Sequence, residues 1–502
     1  MKNKKTLHLA IALAISSMPL FSVAEANIYI GATVGDDYTV NASADAYPNL
    51  VGHAFGIYTN GGNASSVTTA GDRLTLITSG QAADGIRSNP SGNSDWQNAS
   101  GTINVGDDLT ITVSGNSADG LNINGSTVLN IGDNATINTL YNGELKYSNG
   151  DTSDGAHAVR ANFHATINIG EGLTAGTLGE SSHAVYAAHG RSVRNNPTNG
   201  SNINIGKGAV LSTAGKGSHT VMMASNNGKI VIGEDAKMTT LGDGAHGVAA
   251  YADTSGKGSE ANGTVEIGAG STIATAGAGS HGVFANMTGS VLSLDDNVGI
   301  TTEGDASHGL LAQRGIIEAG DGLNISVEGS GSHGAYVNAA TGSIEFLGGA
   351  TIDNNDNDGY AIYADKGTIT GTAGNSTFNI TGNMYADNSG SIDLDMDNNS
   401  VFTGSTALAN SGTINLNLKN NSYWHVTSSS EVSSLHVSGG SMVNLSHEAG
   451  MNTVVTVDDL SGSGGVFKFN TELDSEANGD KLVIDSSETG STHYVHVNDL
   501  SL

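Results

Sequence analysis

Apolar and polar residues alternate over short stretches along most of the chain, and each stretch closes on Gly, Asn or Asp. In residues 281–307 the stretches read His-Gly-Val-Phe-Ala, Ser-Val-Leu-Ser-Leu and Gly-Ile-Thr-Thr. Alternation with a period of two is typical of a strand with one buried face, and Gly, Asn and Asp favour turns. The pattern therefore predicts three short strands and three turns in this unit.

The same unit recurs along the chain, and a histidine marks each clear copy. The motif reads Gly-Ala-His-Ala-Val at 155–159, Gly-Ala-His-Gly-Val at 244–248 and Gly-Ser-His-Gly-Val at 279–283. The seven repeated histidines are His157, His183, His219, His246, His281, His308 and His333. Degenerate copies stand at Phe55-Gly56-Ile57, Asp84-Gly85-Ile86, Asp119-Gly120-Leu121 and Gly359-Tyr360-Ala361. A repeat of this length indicates one structural unit per copy.

Three short strands cannot bury their own apolar positions, but units stacked on one another share a continuous narrow interior. We therefore predict an all-β chain in which each unit forms one coil of a parallel β-helix, with roughly 14–16 coils over residues 27 to about 420. The inward positions of the first strand are predicted to be Val248, Ala250, Val283, Ala285, Leu310, Ala312, Ala335 and Val337.

Successive histidines lie alternately near 27 and near 35 residues apart until the last pair. The longer units carry their extra residues after the first strand, at 87–101, 188–201 and 252–263. Insertions restricted to one turn build a ridge along a solenoid, and binding residues are often carried on such loops. We expect long loops on one side of the rod.

The amino-acid composition agrees with a thin repetitive core. It also restricts the classes of molecule that the chain can bind. The chain has 71 Gly in 502 residues, no Cys, and 49 acidic against 19 basic residues, which gives a net charge of −30. Without Cys there are neither disulfides nor thiolate metal ligands. Nucleic acid is excluded as a partner because both molecules are strongly negative.

The N-terminal residues predict export. Lys2, Lys4 and Lys5 precede an apolar run that ends at Ala24-Glu25-Ala26, which is the pattern of a signal peptide and its cleavage site. We divide the chain into a signal peptide at 1–26, β-helix repeats at 27–419 and a C-terminal β cap at 420–502. The cap carries larger residues, and capping is expected because an open coil end would template further pairing.

The C-terminal segment resembles the end of a pertactin-like autotransporter passenger. The resemblance rests on Trp424, Ser433-Ser-Leu435, Val457-Asp-Asp-Leu460-Ser-Gly-Ser-Gly464, Gly479-Asp480-Lys481-Leu482 followed by Gly490, and His493-Tyr-Val-His-Val497. With the repeats and the signal peptide, it covers nearly the whole chain. It implies a right-handed β-helix that is exported to the cell surface or medium of a Gram-negative bacterium and acts in adhesion or aggregation, with an autochaperone-like C-terminal segment.

The family's translocator barrel of about 12 strands needs more than about 120 further residues, and the sequence stops at Leu502. Two interpretations stay open. Either the sequence is truncated before the barrel, or the passenger depends on another protein for translocation and stays periplasmic without one. Anchoring in the outer membrane is expected only through such a translocator.

The histidines allow two interpretations. Stacked coils bring equivalent imidazoles close together, as in a metal-binding column, but each coil lacks a second ligand at metal spacing. We favour a hydrogen-bonded structural ladder and expect no metal site and no cofactor. The run Asn354-Asn-Asp356-Asn-Asp358-Gly359, with Asp365 beyond it, approaches calcium-loop spacing, and whether calcium binds stays open.

Five of the six arginines are predicted to lie just after the first strand, on the side of the long loops. Guanidinium groups bind carboxylates, sulfates or sugar hydroxyls, and aromatic residues in the same loops offer stacking surfaces. This candidate binding ridge consists of Arg87, Trp96, Arg160, Arg191, Arg194, Tyr251 and Arg314. The alternative interpretation is that these arginines are solvated turn residues that reduce the electrostatic self-repulsion of an acidic chain. The expected partners are glycans or proteins on host or neighbouring cells, or further copies of the chain.

Catalytic signals are weak. The repeated Gly-x-Gly-x-x-Gly strings precede no helix, so they do not form a dinucleotide site. Secreted β-helices include polysaccharide lyases, which combine clustered carboxylates with calcium and a basic residue, whereas Arg and Lys are sparse here. Neither Gly-Asp-Ser-Gly nor a Gly-x-Ser-x-Gly nucleophile elbow is found. We expect no catalytic residues, and a glycan-active enzyme is the alternative function.

Overall fold

The structure is a computed structural model that describes residues 28–29, 31–43, 55–60, 66–89, 100–142, 155–188, 200–251, 262–354, 358–371, 374, 376–446, 452–472 and 478–501. These residues form an all-β parallel β-helix, which confirms the predicted fold class. Strands from successive coils pair in parallel and build three long sheets. No helix long and apolar enough to cross a membrane is found within the described ranges.

The first sheet contains the strands that follow the histidine motif. Its 14 described strands are β1 (Ile28–Tyr29), β4 (Ile57–Asn60), β7 (Ile86–Asn89), β10 (Leu121–Ile123), β13 (Val159–Asn162), β16 (Val185–Ala188), β19 (Val221–Met223), β22 (Val248–Tyr251), β25 (Val283–Asn286), β28 (Leu310–Ala312), β31 (Ala335–Val337), β34 (Ile362–Asp365), β37 (Met384–Asp387) and β40 (Thr406–Leu408). The register is continuous, so Val248, Val283, Leu310 and Ala335 lie directly above one another.

The second sheet follows the turn after the first strand. Its described strands are β2 (Thr33–Val34), β5 (Val67–Ala70), β8 (Ser100–Val105), β11 (Ser126–Ile131), β14 (Thr166–Ile169), β17 (Asn202–Ile205), β20 (Lys229–Ile232), β23 (Thr264–Ile267), β26 (Val291–Leu294), β29 (Ile316–Ala319), β32 (Ser343–Phe346), β35 (Thr368–Gly371), β38 (Ser391–Met396), β41 (Thr413–Leu418), β43 (Ser430–Val437), β45 (Val454–Ser461) and β47 (Lys481–Ser487).

The third sheet completes each coil. Its described strands are β3 (Thr39–Ser43), β6 (Thr75–Ser79), β9 (Thr110–Val113), β12 (Thr136–Thr139), β15 (Thr174–Thr177), β18 (Val210–Thr213), β21 (Lys237–Thr240), β24 (Thr272–Thr275), β27 (Gly299–Thr302), β30 (Leu323–Val327), β33 (Ala350–Asn354), β36 (Asn379–Thr381), β39 (Val401–Gly404), β42 (Tyr423–Val426), β44 (Met442–Asn444), β46 (Val466–Thr471) and β48 (Tyr494–Asp499).

The core lies inside the stack and is filled by one column of side chains after another. Ile and Leu dominate the second and third sheets, whereas the first sheet alternates Val or Leu with Ala, and all eight predicted inward residues of the first sheet are fully buried. Because each strand contributes only two or three inward residues, the same position in the next coil supplies the neighbouring atoms. The stability of each coil therefore depends on the coils above and below it.

A buried threonine at the end of the third strand fixes the next corner. The hydroxyls of Thr240, Thr275 and Thr302 donate to the carbonyl oxygens of Ala245, Ser280 and Ser307 at 2.6–2.8 Å. Each acceptor is the residue before one of the repeated histidines. The third strand thus positions the turn that carries the histidine.

The three predicted long loops lie where expected, since 10–13 residues join β7 to β8, β16 to β17 and β22 to β23. The expectation that long loops lie on one side only is wrong, because residues 44–56 and 140–158 form long connections from the third sheet to the first. Both precede the first complete interval between histidines, which is why histidine spacing did not detect them.

The C-terminal coils are built differently. Among the described strands, the first sheet ends at β40, whereas the second and third sheets continue to β47 and β48. Trp424 is fully buried, stacks on Phe402 at 5.7 Å between ring centroids, and donates its indole N–H to the Gly404 carbonyl at 3.0 Å. Residues 1–26 lie outside the described ranges, so the signal peptide stays a prediction. The domain boundary at 420 also stays a prediction.

Candidate functional site

The seven repeated histidines form one column beside the first sheet. Neighbouring imidazole centroids lie 4.7–5.0 Å apart with interplanar angles of 14° or less. Six of the seven are at most 9% exposed, and His281 is slightly more open. We call this column, from His157 to His333, the histidine ladder.

A repeated hydrogen bond holds each rung of the histidine ladder. The backbone N–H of each histidine from His183 to His333 donates to Nδ1 of the preceding histidine at 2.9–3.1 Å. The N–H of Tyr360 donates in the same way to His333 at 3.0 Å. Because Nδ1 accepts a hydrogen bond, the ring proton must be on Nε2 and the ring is neutral.

Burial keeps the rings neutral. It lowers the pKa of His157, His183, His219, His246, His281 and His308 well below the ordinary value of 6.5, because a buried imidazolium loses its hydration. Neighbouring histidines, and Arg160 for the first two rungs, lower the pKa further. Within the described ranges no group of three His, Cys, Asp or Glu side chains is placed to hold a metal ion.

Two aspartates continue the column, and sequence reasoning missed them. Asp119 accepts the N–H of His157 through Oδ1 at 2.8 Å, and Asp84 accepts the N–H of Asp119 at 2.7 Å. A carboxylate oxygen thus replaces the imidazole Nδ1 as acceptor. The signal was present in the degenerate copies Asp84-Gly85 and Asp119-Gly120, where Asp stands in the histidine position.

The candidate binding ridge differs from its prediction at Arg87 and Arg160. Both were expected after the first strand, but each is the second residue of a strand, β7 and β13, with its side chain on the outer face. The strands begin closer to the motif than the alternation alone shows. Both side chains are mostly buried, at 12% and 19% exposure.

Each of these arginines binds one aspartate and one aromatic ring. Arg87 lies 3.0 Å from the Asp84 carboxylate and 5.3 Å from the centroid of the Phe55 ring. Arg160 lies 3.6 Å from Asp119 and 5.6 Å from the centroid of Tyr186. Burial raises the pKa of Asp84, and the guanidinium of Arg87 opposes that shift. The outer face of the first sheet therefore binds guanidinium groups with a carboxylate and an aromatic ring.

The other predicted ridge residues lie in different surroundings. Tyr251 ends β22, and its hydroxyl lies 2.7 Å from Nε2 of His219, so it supports the histidine ladder. Arg314 lies in the short turn between β28 and β29. Trp96, Arg191 and Arg194 lie outside the described residues, as does Asp356 of the candidate calcium loop.

An outward column of aromatic and apolar side chains runs along the first sheet. Its residues from β4 to β37, in register, are Tyr58, Arg87, Asn122, Arg160, Tyr186, Met222, Ala249, Phe284, Leu311, Tyr336, Tyr363 and Tyr385. Several of these rings pack against ladder histidines, as Tyr336 does against His308 and His333 at 4.9–5.0 Å. The outer face is thus a second, half-buried layer of packing.

Four tyrosines gather at the C-terminal end of this column. The rings of Tyr336 and Tyr363 stack at 4.7 Å, and Tyr385 lies 5.1 Å from both Tyr360 and Tyr363. All four are half-buried. We call Tyr336, Tyr360, Tyr363 and Tyr385 the tyrosine stripe. Sequence reasoning missed it, although three of the four tyrosines follow the first residue of their strand.

The second sheet carries a different outer surface. Asn130 donates to Asn104, Asn168 to Asn130 and Asn204 to Asn168 through their side-chain amides at 2.8–2.9 Å. Farther along the same column lie Glu266, Ser293, Glu318 and Glu345. The surface therefore changes from an amide ladder to an acidic strip.

No family model and no curated protein matches this chain. Among solved structures it is similar to a chain of the cryo-EM structure of the Vag8–C1 inhibitor complex, with 14% identity and a TM-score of 0.39. The match covers 94% of this chain and 100% of that chain. A likeness at this level shows neither a common family nor a common function.

Proposed function

We propose that this chain is the passenger of a pertactin-like autotransporter, exported to the surface or exterior of a Gram-negative cell, where it acts as an adhesin or a self-association module. The signal-peptide pattern at 1–26 and the motifs from Trp424 to Val497 support export and the family. The outer face of the first sheet supports binding, since 14 stacked strands present side chains at regular intervals. A long repetitive surface suits many weak contacts that act together.

Self-association is the second candidate. The asparagine ladder of the second sheet and the acidic strip beyond it would have to meet equivalent surfaces on another copy. The amides from Asn104 to Asn204 already bond to one another along the rod, so part of their bonding capacity is used within one chain. This favours adhesion to a different molecule over amide pairing between copies.

Coated beads will separate the two candidates. We expect red beads coated with the full chain to attach to target cells in suspension more than albumin-coated green beads do. Self-association would instead clump red beads with one another and leave green beads and cells out. A binding role is contradicted if red and green beads behave alike in both assays, while circular dichroism shows that the coated chain is folded.

We also propose that the chain does not cleave glycans. Arg87 and Arg160, which are the basic residues of the outward column, are held by Asp84 and Asp119 and are mostly buried. They are therefore poorly placed to act on a substrate. Incubation with acidic polysaccharides is expected to generate no unsaturated sugar ends above a boiled-protein control, and their appearance would establish a lyase instead.

A further inference from the structure

The tyrosine stripe lies beside two carboxylates on neighbouring strands. Asp365 ends β34 and Asp387 ends β37, and the two residues are paired in register. The side chain of Asp365 is 17% exposed, and Lys366 lies 3.6 Å away. Asn388 and Asn410 donate their side-chain amides to Asp365 and Asp387 at 2.9 and 2.8 Å. These hydrogen bonds from neutral side-chain amides hold both carboxylates in fixed positions without neutralising their charge.

Tyr363 and Tyr385 lie two residues before Asp365 and Asp387, on the outer face of the same strands. Burial first, and then the negative charge of Asp365, raises the pKa of Tyr336. Burial first, and then the charge of Asp387, raises the pKa of Tyr385. Neutral phenol hydroxyls keep their oxygens as hydrogen-bond acceptors. Carboxylate and hydroxyl oxygens thus lie together on a half-buried aromatic surface.

The same face shows which group fits such a surface. At β7 and β13 it holds the guanidinium groups of Arg87 and Arg160, each with one aspartate and one aromatic ring. At the tyrosine stripe the aromatic rings and the aspartates are present, but the nearby cation is the ammonium group of Lys366, whose side chain is 54% exposed. A planar guanidinium has five donors and matches oxygen acceptors better than an ammonium does.

We propose that the tyrosine stripe binds an arginine-bearing segment of a partner protein, with guanidinium groups on Asp365 and Asp387. Charge favours this partner, because a chain of net charge −30 attracts cationic segments and repels acidic ones. The inference names the partner class of the proposed binding function, so it rests on that function.

Two short fluorescent peptides of equal charge, one with four arginines and one with four lysines, test this inference by anisotropy at physiological salt. We expect the full chain to bind the arginine peptide several-fold more tightly than the lysine peptide. D365N/D387N should weaken arginine-peptide binding about tenfold, and Tyr363→Leu should weaken it about three- to fivefold. D365N/D387N keeps the side-chain shape, and each Asn retains an oxygen that accepts the hydrogen bond from Asn388 or Asn410. Tyr363→Leu removes the ring that stacks on Tyr336 and contacts Tyr385.

The matched control is Asp295→Asn with Glu345→Gln, which removes the same charge from exposed positions at the second sheet. It should change arginine-peptide binding less than twofold. Equal losses in both double variants, or equal affinity for the two peptides, would show only diffuse attraction to an acidic rod and would overturn the inference. If the stripe binds arginine as expected but coated beads fail to attach to cells, the proposed function fails and the site remains.

Discussion

Acidification from pH 7 to pH 5 will reduce the free energy of unfolding of this protein by several kcal/mol. Six ladder histidines have a pKa well below 6.5 in the folded chain. In the unfolded chain each returns to its ordinary pKa, so the unfolded state binds more protons once the pH falls below about 6.5. Stability from each ring is complete above that pH and is lost below it, at up to about 1.4 kcal/mol per pH unit.

The geometry of the histidine ladder also predicts that protonation destabilises the folded chain. A proton on Nδ1 would point at the backbone N–H that now donates to that atom, so protonation removes the bond to the next coil. It would also place positive charges on rings whose centroids lie only 4.7–5.0 Å apart. Each charged rung makes its neighbours harder to charge.

Thermal unfolding followed by circular dichroism at pH 7, 6 and 5 measures this effect. The double variant H281N/H308N replaces two titrating acceptors with amide oxygens, and its melting temperature should fall less between pH 7 and 5. His496→Asn, at an exposed position of β48, serves as the matched control and should keep the full pH dependence. A melting temperature that is constant across this range would contradict a neutral histidine ladder.

The sequence was sufficient for the fold because its information is local. Alternation within 281–307 identified three strands, and the structure has them at Val283–Asn286, Val291–Leu294 and Gly299–Thr302. The inward residues Val283 and Ala285 followed from the same alternation, and both are fully buried. Repetition then required stacking, since one coil cannot bury its own core.

The surface was harder to predict because its contacts join residues 22–41 positions apart in different coils. Arg160 meets Asp119 and Tyr186, one coil away on either side, and neither partner is evident from the residues next to Arg160. The tyrosine stripe also depends on register, because Tyr336, Tyr363 and Tyr385 come together only when β31, β34 and β37 align. Spacing between histidines shows that coils stack but not which outward side chains meet.

The glycine that follows the ladder histidine is predicted to be essential where an isoleucine faces it. A Cβ at Gly282 would lie 2.4 Å from Cγ2 of Ile300 and 2.6 Å from the Gly309 carbonyl oxygen. Both distances are far shorter than a normal contact. Gly85, Gly120, Gly247, Gly309 and Gly334 each face an isoleucine Cγ2 in the same way, at 2.2–2.5 Å.

Three coils of the same chain show which third-sheet residues allow a side chain at the glycine position. Ala158, Ala184 and Thr220 occupy the glycine position there, and the third-sheet residues in register with Ile137 and Ile273 are Ala175, Leu211 and Met238. None of these three has a Cγ2 branch. From β7 to β33, glycine thus occurs with isoleucine, and a larger residue occurs with a third-sheet residue that is not branched at Cβ. The rule ends at the next coil, where Ala361 precedes β34 and Ile380 lies in β36.

We therefore expect Gly282→Ala to destabilise the chain by about 1–3 kcal/mol, the usual range for an overpacked core, as measured by chemical denaturation. Ile300→Leu removes the Cγ2 branch, so the double variant G282A/I300L should be more stable than G282A alone. Gly35→Ala is the matched control, because a Cβ there meets nothing within 4 Å, and its stability should stay the same or rise slightly. If Ile300→Leu fails to rescue G282A, the carbonyl of Gly309 rather than the isoleucine sets the restriction. In that case the pairing of glycine with isoleucine along the rod has another cause.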